Sequence, residues 1–512
     1  MPEEEKIVIS CGQRWVYGVL TGSLFLCAPA FALRLDVGEA SHHDATSFHV
    51  TLPSMAIVGE PVELRAVGLD GPWLLEPDWR GRIRFHGQAT FTSTDARADL
   101  PPSVSVSRDA KGRFEASVRF RTPGIHYVRV HDAIRPGVRG ESNPVLVTET
   151  PRESQLYWGD MHVHSCYSDG IAHGSSLIDH GRNVSHLDYM ALVDHSDEHA
   201  SRGSLDAIEW ADLLAQSTQN TEPGRFVVFP GFEWTSNTWG HRHVVYRDAW
   251  GETISCVDER YTEPSQLYAA LSHRVGGALV IPHHANHGHV TSEHDPKLEL
   301  LYEVYSRWGC SETCPHPLWP GGCGEWSNGH YSSYHMMLEA GYRMGAFGSG
   351  DSHYGHPGRI DDGDLSTDGC PIEVESIPNL PLRGGIGGVF ASGLTRDGLF
   401  DGFVGRRTLA TTGPRFLILF DVNGTPMGGE ITDPDSPLVH AVVAGRTPMT
   451  VEVIRDGEVI HSQSGPRVQE LEIRDRGFAP RGAAVGSLSY YYVRVIQEDD
   501  EWGWSSPVWV RP

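Results

Sequence analysis

The segment GDMHVHSCYSDG, residues 159–170, places two histidines and an aspartate on a very short run of chain. His162 and His164 are two residues apart, so on a strand they point to the same side and can share a metal ion. The pair alone is weak evidence, because a buried strand histidine is more often a hydrogen-bonded core residue than a ligand. Whether the two histidines bind a metal is therefore judged from the motifs that follow.

Five further polar motifs follow in order: DHS at 194–196, PGFE at 230–233, HRH at 241–243, PHH at 282–284 and GDSH at 350–353. Short apolar runs lie among them, and we predict each to be a buried parallel strand. These runs are Leu187–Val193, Phe226–Phe229, His243–Tyr246, Ala278–Ile281, Leu300–Tyr305, Met344–Phe347 and Gly388–Ala391. His195, Glu233, His283 and Asp351 come at or just past the carboxyl end of a run, where a β/α barrel keeps its active site.

The regions on either side of these motifs have a β pattern. Apolar residues alternate with polar ones between residues 47 and 148, which predicts an N-terminal Ig-like β-sandwich over residues 46–149. Asp456-Gly457 separates two alternating runs and predicts a hairpin within a C-terminal β domain over residues 414–512. Residues 395–406 are expected to form a helix that closes the central region, residues 154–413.

Length and charge limit the classes of protein that this chain can belong to. Its 512 residues exceed what one hydrophobic core usually supports, so two or three domains are expected. The formal net charge of −25 would repel a phosphate backbone over most of the surface. We therefore expect a small-molecule substrate and no nucleic acid; the oligomeric state is left open.

The N-terminal residues raise a question of targeting. WVYGVLTGSLFLCAPAFA, residues 15–32, is apolar, follows Arg14 and ends in a triplet typical of a cleavage site. It predicts a signal peptide over residues 1–32 and a periplasmic or secreted protein, without a stable membrane span. The acidic PEEEK ahead of it is atypical of a signal, so a buried strand pair in a cytoplasmic protein is the alternative.

Cys310, Cys314 and Cys323 lie close together in a segment rich in glycine and proline. If the protein is exported, a disulfide-bonded loop is the favoured interpretation. A structural zinc site with His316 as a fourth ligand is the alternative, although the spacing fits no standard zinc pattern.

The phrases HVHSCYSDG, VDH, PGFE, HVVY, IPHH and GDSH resemble, in order and spacing, the motifs of the PHP (polymerase and histidinol phosphatase) family. The similarity covers roughly residues 156–412 and is greatest to a branch known only as a domain of unknown function. It implies an α/β fold, a distorted (β/α)7-type barrel, flanked here by the two β domains. It also implies two or three divalent metal ions (Zn, Mn or Fe) and a hydroxide that bridges them and hydrolyses a small, anionic phosphate ester.

The resemblance assigns ligands to three metal sites, with Glu233 shared between the first two. The first set is His162, His164, Glu233 and Asp351, the second is Glu233, His243 and His283, and the third is Asp169, His195 and His353. His241 could replace His243, and His284 could replace His283. We also single out Glu233, Asp351, Arg307 and His287 as catalytic candidates, with Arg307 binding a substrate oxyanion and His287 assisting the leaving group.

Two other functions are compatible with the sequence. An amidohydrolase-like enzyme would use similar metal sites on a non-phosphate ester or an amide, but Asp169, the shared Glu233 and the paired Asp351 and His353 favour the PHP resemblance. A non-catalytic, metal-stabilised binding module is the second alternative. Nine ligands exceed what a structural site needs, which favours an enzyme.

Overall fold

The computed structural model describes residues 45–69, 85–170, 172–197, 205–283, 293–318, 331–353, 355–358, 384–432, 436–478 and 488–511, and the backbone of two short strands near the N-terminus. Residues 1–44 and 45–512 form two compact units. In the first unit, β1 (Ser10–Cys11) pairs antiparallel with β2 (Arg14–Trp15); the rest of the predicted signal peptide lies outside the described residues. In the part of the chain that the structure describes, no helix is long and apolar enough to span a membrane.

Two sheets occupy the first part of the second unit. Their strands are β3 (Ser47–Thr51), β4 (Met55–Ile57), β5 (Pro61–Leu69), β6 (Gly87–Ser93), β7 (Val104–Val106), β8 (Arg113–Arg119), β9 (Gly124–His126), β10 (Val128–Asp132), β11 (Arg139–Glu141) and β12 (Val145–Thr148). One sheet has the order β7-β6-β10-β11-β3-β5-β8, and the other has the order β4-β12-β9. Phe114, Ala116 and Val118 of β8 are buried while the residues between them are exposed, as the period of two predicts. The apolar faces of the two sheets pack against each other and form one shared core.

The first polar motifs lie on the next group of elements. These are β13 (Gln155–Val163), α1 (Gly174–Asn183), β14 (Tyr189–Leu192), α2 (Ala207–Asn220), β15 (Val227–Ser236), β16 (Gly240–Tyr246), α3 (Pro264–Leu271) and β17 (Ala278–His283). β13, β14 and β15 are parallel neighbours, and a helix lies between each pair along the chain. Every residue of β14, β15 and β17 is buried, which explains their continuous apolar sequences.

The prediction of parallel strands throughout is wrong for several of these elements. β16 runs antiparallel to both β15 and β17, and a later strand, Ile386–Ala391, runs antiparallel to β13. Only residues 237–239 separate β15 from β16, whereas a parallel crossover needs a dozen residues or more. The short connection therefore forces a hairpin and places HRH directly beside PGFE.

The remaining central elements complete the region that carries the motifs. They are β18 (Leu301–Ser306), β19 (Gly309–Cys310), α4 (Tyr334–Glu339), β20 (Gly345–Gly348), β21 (Ile386–Ala391), α5 (Arg396–Val404) and β22 (Thr408–Thr411). β18 and β20 are parallel in a separate sheet of order β19-β18-β20. The segment after β20 joins the end of β13, because Ser352 N donates to His162 O and His164 N donates to Ser352 O, both at 3.0 Å. The described residues thus form mixed, β-rich sheets with few helices, and they do not show a complete (β/α)7 barrel.

Some of the last strands extend the central sheet, and the others form a separate four-stranded sheet. They are β23 (Leu417–Val422), β24 (Thr425–Pro426), β25 (Glu430–Thr432), β26 (Leu438–Ala444), β27 (Met449–Arg455), β28 (Glu458–Gly465), β29 (Val468–Arg474), β30 (Ser489–Gln497), β31 (Trp502–Ser505) and β32 (Val508–Arg511). β31 pairs with β22, so the sheet order continues as β22-β31-β30-β27-β28. Asp456 and Gly457 connect β27 to β28 with φ of 52° and 84°, the left-handed conformation that a type I′ turn requires.

Candidate metal centre

Glu233 lies on β15, is 1% exposed, and directs its two carboxylate oxygens at different groups of imidazoles. Oε1 faces His195 Nδ1 at 3.4 Å, His241 Nδ1 at 2.8 Å and His283 Nε2 at 3.1 Å. Oε2 faces His162 Nε2 at 3.4 Å, His164 Nε2 at 3.2 Å and His243 Nε2 at 3.9 Å. One carboxylate thus stands between two clusters of nitrogen atoms.

Strand register explains how these side chains meet. In the antiparallel pairs, Glu233 is opposite His243, and His241 is opposite His283. An isolated parallel bridge joins His195 to Glu233. Because side chains alternate across a strand, His241 and His243 share one face of β16. His162 on β13 and His164, one residue past its end, likewise turn their Nε2 atoms toward the same oxygen of Glu233. The hairpin at residues 237–239 therefore brings PGFE and HRH together, and the pairing of β16 with β17 adds His283.

Asp351 brings the last motif to the same place. Its Oδ1 lies 3.2 Å from His162 Nε2 and 3.5 Å from His164 Nε2, and the two histidine nitrogens are 3.1 Å apart. Asp351 has φ of 52°, an uncommon conformation for a residue other than glycine. The two backbone hydrogen bonds between Ser352 and β13 hold this turn against the histidine pair.

Asp169 forms the more accessible side of the centre, with 18% of its side chain exposed. Its Oδ2 lies 3.2 Å from His353 Nε2 and 3.5 Å from His195 Nε2, while its Oδ1 lies 3.6 Å from His164 Nδ1. Burial alone would raise the pKa of Asp169, but the imidazoles of His353, His195 and His164 together outweigh it and hold that pKa below its usual range. This corner combines ligand atoms with a path to solvent.

The atoms that converge here fall into three groups, each with its ligand atoms within 4.8 Å of one another. The groups are His162, Glu233, His243 and His283; His164, Asp169, His195 and His353; and His162, His164 and Asp351. The structure thus brings together all nine residues that the motifs suggested as ligands. It also brings in His241, which is closer to Glu233 than His243 is; His284 lies outside the described residues.

The charge state of the buried groups suits divalent metal ions. Neither ring nitrogen of His243 has a hydrogen-bond partner among the described residues. Burial, and then the charge of His162, lower the pKa of His243 well below its usual value, so its imidazole is neutral and offers a lone pair. Burial alone would raise the pKa of Glu233, but the surrounding imidazoles, first those of His195 and His283, together outweigh it and hold that pKa well below its usual range. An ionised carboxylate beside the neutral imidazole of His243 is the kind of donor set that zinc, manganese and iron accept.

Two buried aspartates hold the backbone around the centre. Asp160 accepts hydrogen bonds from the backbone N–H of His162 at 3.1 Å, Gly350 at 2.8 Å and Gly358 at 2.9 Å. Burial raises the pKa of Asp160 to about 6 despite these hydrogen bonds. Asp194 accepts from the backbone N–H and the hydroxyl of both Ser165 and Ser168. The DHS motif therefore fixes the first loop as well as supplying His195, a role that its sequence alone did not indicate.

Other candidates lie beside the centre or outside the described residues. Arg307 follows β18 and is buried; its backbone N–H donates to Gly350 O at 3.3 Å, and its guanidinium lies 5.4 Å from the ring centre of Trp308. His287 lies outside the described residues. Glu303, which sequence reasoning missed, accepts a hydrogen bond from His162 Nδ1 at 2.9 Å. Its position in the buried sequence LYEVYS of β18 was the available signal, because an isolated acid there needs a partner.

The cysteine-rich segment differs in part from both interpretations of its sequence. Cys314 is disulfide-bonded, whereas Cys310 is a free, buried thiol, so a disulfide that includes Cys310 is ruled out. Cys323 lies outside the described residues. Cys310, Glu312 and His316 are close enough to hold an ion, but Arg494 donates to both carboxylate oxygens of Glu312 at 3.0 Å. A guanidinium in that place neutralises the carboxylate and opposes a metal ion.

One family model and several relatives match parts of this chain. A family model described as a protein of unknown function (DUF3604) matches residues 182–296. The chain is 24% identical over 377 residues to an uncharacterised protein of Chlamydia pneumoniae, with 69% of this chain and 57% of the relative covered. It is 23% identical over 422 residues to an uncharacterised protein of Chlamydia trachomatis, with 76% of this chain and 63% of the relative covered. The chain therefore spans less than two thirds of the length of these relatives.

Among solved structures, the chain is similar to a two-domain protein from Bacteroides vulgatus that contains a predicted PHP-like metal-dependent phosphoesterase. The sequence identity is 10%, the TM-score is 0.33, and the match covers 67% of this chain and 91% of that protein.

Proposed function

We propose that this protein is a metal-dependent hydrolase that acts on a small, anionic phosphate ester. The observation that carries the proposal is Glu233, whose two buried oxygens each face three imidazole nitrogens. A carboxylate in this position can link two metal ions, whereas a purely structural site needs four ligands and one ion. The donor set is compatible with zinc, manganese or iron.

The proposed ligands divide into three sets. His162, His164, Glu233 and Asp351 hold one ion; Glu233, His243 and His283 hold a second; and Asp169, His195 and His353 hold a third. His241 is the alternative to His243 in the second set, because its Nδ1 lies 2.8 Å from Glu233 Oε1. Bound divalent ions would lower the pKa of a coordinated water and withdraw charge from the oxygens of an ester.

The charge of the centre favours an anionic substrate. Its ligands comprise six histidines and only three carboxylates, those of Asp169, Glu233 and Asp351, so two or three divalent ions would leave a net positive charge. A phosphate ester is attracted to such a centre, even though the chain as a whole carries −25. Arg307 is proposed to bind a substrate oxyanion, and His287 to assist departure of the leaving group.

We also propose that the central region is a distorted PHP-like barrel. The backbone hydrogen bonds between Ser352 and β13 join the separate β19-β18-β20 sheet to the main sheet at the metal centre. A further hydrogen bond, from Val280 N to Leu298 O at 2.9 Å, joins β17 to the residues before β18. Both joins favour a ring of strands that is closed around the ligands. The flanking β regions then act as its N-terminal and C-terminal domains.

The function is tested by metal content and turnover on the same protein. Protein purified without chelators or metal-affinity resin is analysed by plasma mass spectrometry, and hydrolysis of an aryl phosphate is measured before and after chelation. Two or three ions per chain with chelator-sensitive hydrolysis are expected. Bound metal with hydrolysis only of a carboxylic ester or an amide would favour the amidohydrolase-like alternative. Bound metal without any turnover would favour a binding module, and no metal after reconstitution would contradict the centre.

A further inference from the structure

We propose that Glu303 is a positioning residue that selects the tautomer and orientation of His162 and thereby tightens metal binding. The inference rests on the proposed metal-dependent function and adds a residue that lies outside the nine ligands. Glu303 Oε2 is 2.9 Å from His162 Nδ1, and the side chains of the two residues are 1% and 0% exposed. A carboxylate oxygen can only accept a hydrogen bond, so Nδ1 carries the proton.

This tautomer leaves the lone pair of His162 on Nε2. That atom lies 3.2 Å from Asp351 Oδ1, 3.4 Å from Glu233 Oε2 and 3.1 Å from His164 Nε2. The lone pair therefore points at the place where the other donors converge. A histidine whose remote nitrogen donates to a carboxylate is a better metal ligand, because the carboxylate fixes the ring and increases its basicity.

Among the other histidines of the centre, Nδ1 meets a neutral group or a carboxylate that is itself a proposed ligand. His195 Nδ1 lies 2.6 Å from Thr235 Oγ1 and 3.4 Å from Glu233 Oε1, and His353 Nδ1 lies 3.2 Å from Asp351 Oδ1. Among the contacts between described residues, Glu303 is the one carboxylate outside the ligand groups that meets a ring nitrogen of a histidine of the centre.

The burial of Glu303 also requires an explanation. It lies in the middle of β18, every residue of which is buried, and its backbone is opposite Phe347 in β20. An isolated buried carboxylate is costly, and one hydrogen bond from a neutral imidazole offsets only part of that cost. A cation bound at His162 Nε2 would polarise the ring and strengthen the Nδ1–H···Oε2 bond. A metal ion held by His162 would therefore account for the position of Glu303.

The chain offers a matched control in Glu299. Its carboxylate is also buried and accepts from a histidine Nδ1, that of His294, at 2.8 Å. Its other partners are Tyr268 and Arg242, and Arg242 lies on the face of β16 opposite to His241 and His243. Glu299 thus shares the chemistry of Glu303, but its partners among the described residues, His294, Tyr268 and Arg242, are not ligands of the proposed ions.

The test measures cobalt(II) affinity by competition with a chelating dye, together with the visible absorption bands of the bound cobalt. Glu303→Gln keeps an acceptor for Nδ1–H but loses the charge, and we expect about tenfold weaker binding of one ion. Glu303→Leu removes the acceptor, and we expect a loss of about a hundredfold and altered cobalt bands. Glu299→Gln should leave affinity and bands unchanged, with folding of all variants checked by circular dichroism.

Three outcomes are distinct. If wild-type protein binds cobalt and both Glu303 variants match it, the positioning role is wrong while the proposed function stands. If wild-type protein binds no cobalt, the proposed function fails and this inference fails with it. If Glu303→Leu does not fold, the proposal is tested by the cobalt affinity of Glu303→Gln and by the tautomer of His162 in zinc-loaded wild-type protein.

The tautomer is measured by correlation spectra of ¹⁵N-labelled histidine. They should show a protonated Nδ1 on His162, whose signal is identified by its loss in His162→Asn. A protonated Nε2 would overturn the proposal.

Discussion

Two regions of this protein that contain buried histidines differ in the sign of the charge around them. In the metal centre, the carboxylates of Asp351, Glu303 and Glu233 together outweigh burial and raise the pKa of His162 well above its usual value, so this place favours a positive charge such as that of a bound cation. The second region, which we call the arginine junction, comprises His49, Thr51, Arg65, Ser185, His186 and Arg415. There burial, and then the charge of Arg415, lower the pKa of His49 to about 3.

The arginine junction joins three parts of the chain through backbone carbonyls. Arg415 donates to His186 O at 2.7 Å and to Ser185 O at 3.3 Å, and Arg65 also donates to His186 O at 2.9 Å. The rings of His49 and His186 are stacked with their centres 5.1 Å apart. Because two guanidinium groups lie nearby, these imidazoles stay neutral, and the positive charge around them opposes binding of a cation. Burial of histidine therefore does not identify a metal site; the sign of the surrounding charge does.

The largest expected effect comes from removing the carboxylate that distinguishes the metal centre. Glu233→Gln should lower chelator-sensitive hydrolysis of an aryl phosphate on the order of a thousandfold, equal to about 4 kcal/mol of activation free energy, because two ions lose their shared ligand. Turnover and metal content are measured on the same preparation, with Glu299→Gln as the control. Full activity and full metal content in Glu233→Gln would contradict the role of Glu233 as a ligand shared by two ions.

A smaller loss of stability is expected at the arginine junction. Arg415→Gln should lower the free energy of unfolding by about 2 to 3 kcal/mol, because buried carbonyls of Ser185 and His186 lose a charged donor. Urea unfolding at pH 7, followed by circular dichroism, measures the change. Cobalt affinity should match that of wild-type protein. A variant that unfolds normally but loses cobalt would show that the two regions are coupled.

The pH dependence of stability should also separate the regions. Because the pKa of His49 is about 3 in the folded protein and about 6.5 in the unfolded chain, unfolding takes up a proton between these values. The stability is full above pH 6.5 and falls as the pH falls, by at most about 1.4 kcal/mol per pH unit from this residue. Urea unfolding between pH 4.5 and 7 should show a shallower slope for His49→Gln than for wild-type protein. Equal slopes would mean that His49 is protonated in the folded state.

The smallest expected effect is on the pH dependence of stability at His440, where stability falls as the pH rises. His440 lies between Asp421 at 3.0 Å and Glu470 at 3.3 Å, and these partners outweigh burial and raise its pKa. Its stabilisation is present below the unfolded pKa and is lost as the pH rises through the folded pKa. Because its side chain is 36% exposed, solvent screens the effect to less than about 0.5 kcal/mol. Thermal unfolding of His440→Gln should therefore differ from wild type at pH 5.5 and coincide with it at pH 8.5; the reverse pattern would contradict the assignment.

Much of the strand content followed from local patterns. Each of the seven apolar runs of the central region overlaps a strand, and the predicted closing helix is α5, which begins after its cap, Thr395. The hairpin at Asp456-Gly457 also forms. These features depend on side-chain periodicity and turn chemistry, which neighbouring residues in the chain determine. Strand direction was harder to predict from the sequence, because it depends more on the length of the connection between two strands than on their apolar pattern.

The sequence by itself determined the candidate ligands of this protein, since histidines and carboxylates two residues apart or at strand ends are visible in its order. Only the tertiary structure decided how they are grouped: which oxygen of Glu233 faces which imidazole, and how close His241 lies to it. The partner of Glu303 and the contacts of the arginine junction were also invisible, because they lie 141 and more than 100 residues away along the chain. Pairing across such separations depends on strand register and packing, which no local pattern encodes.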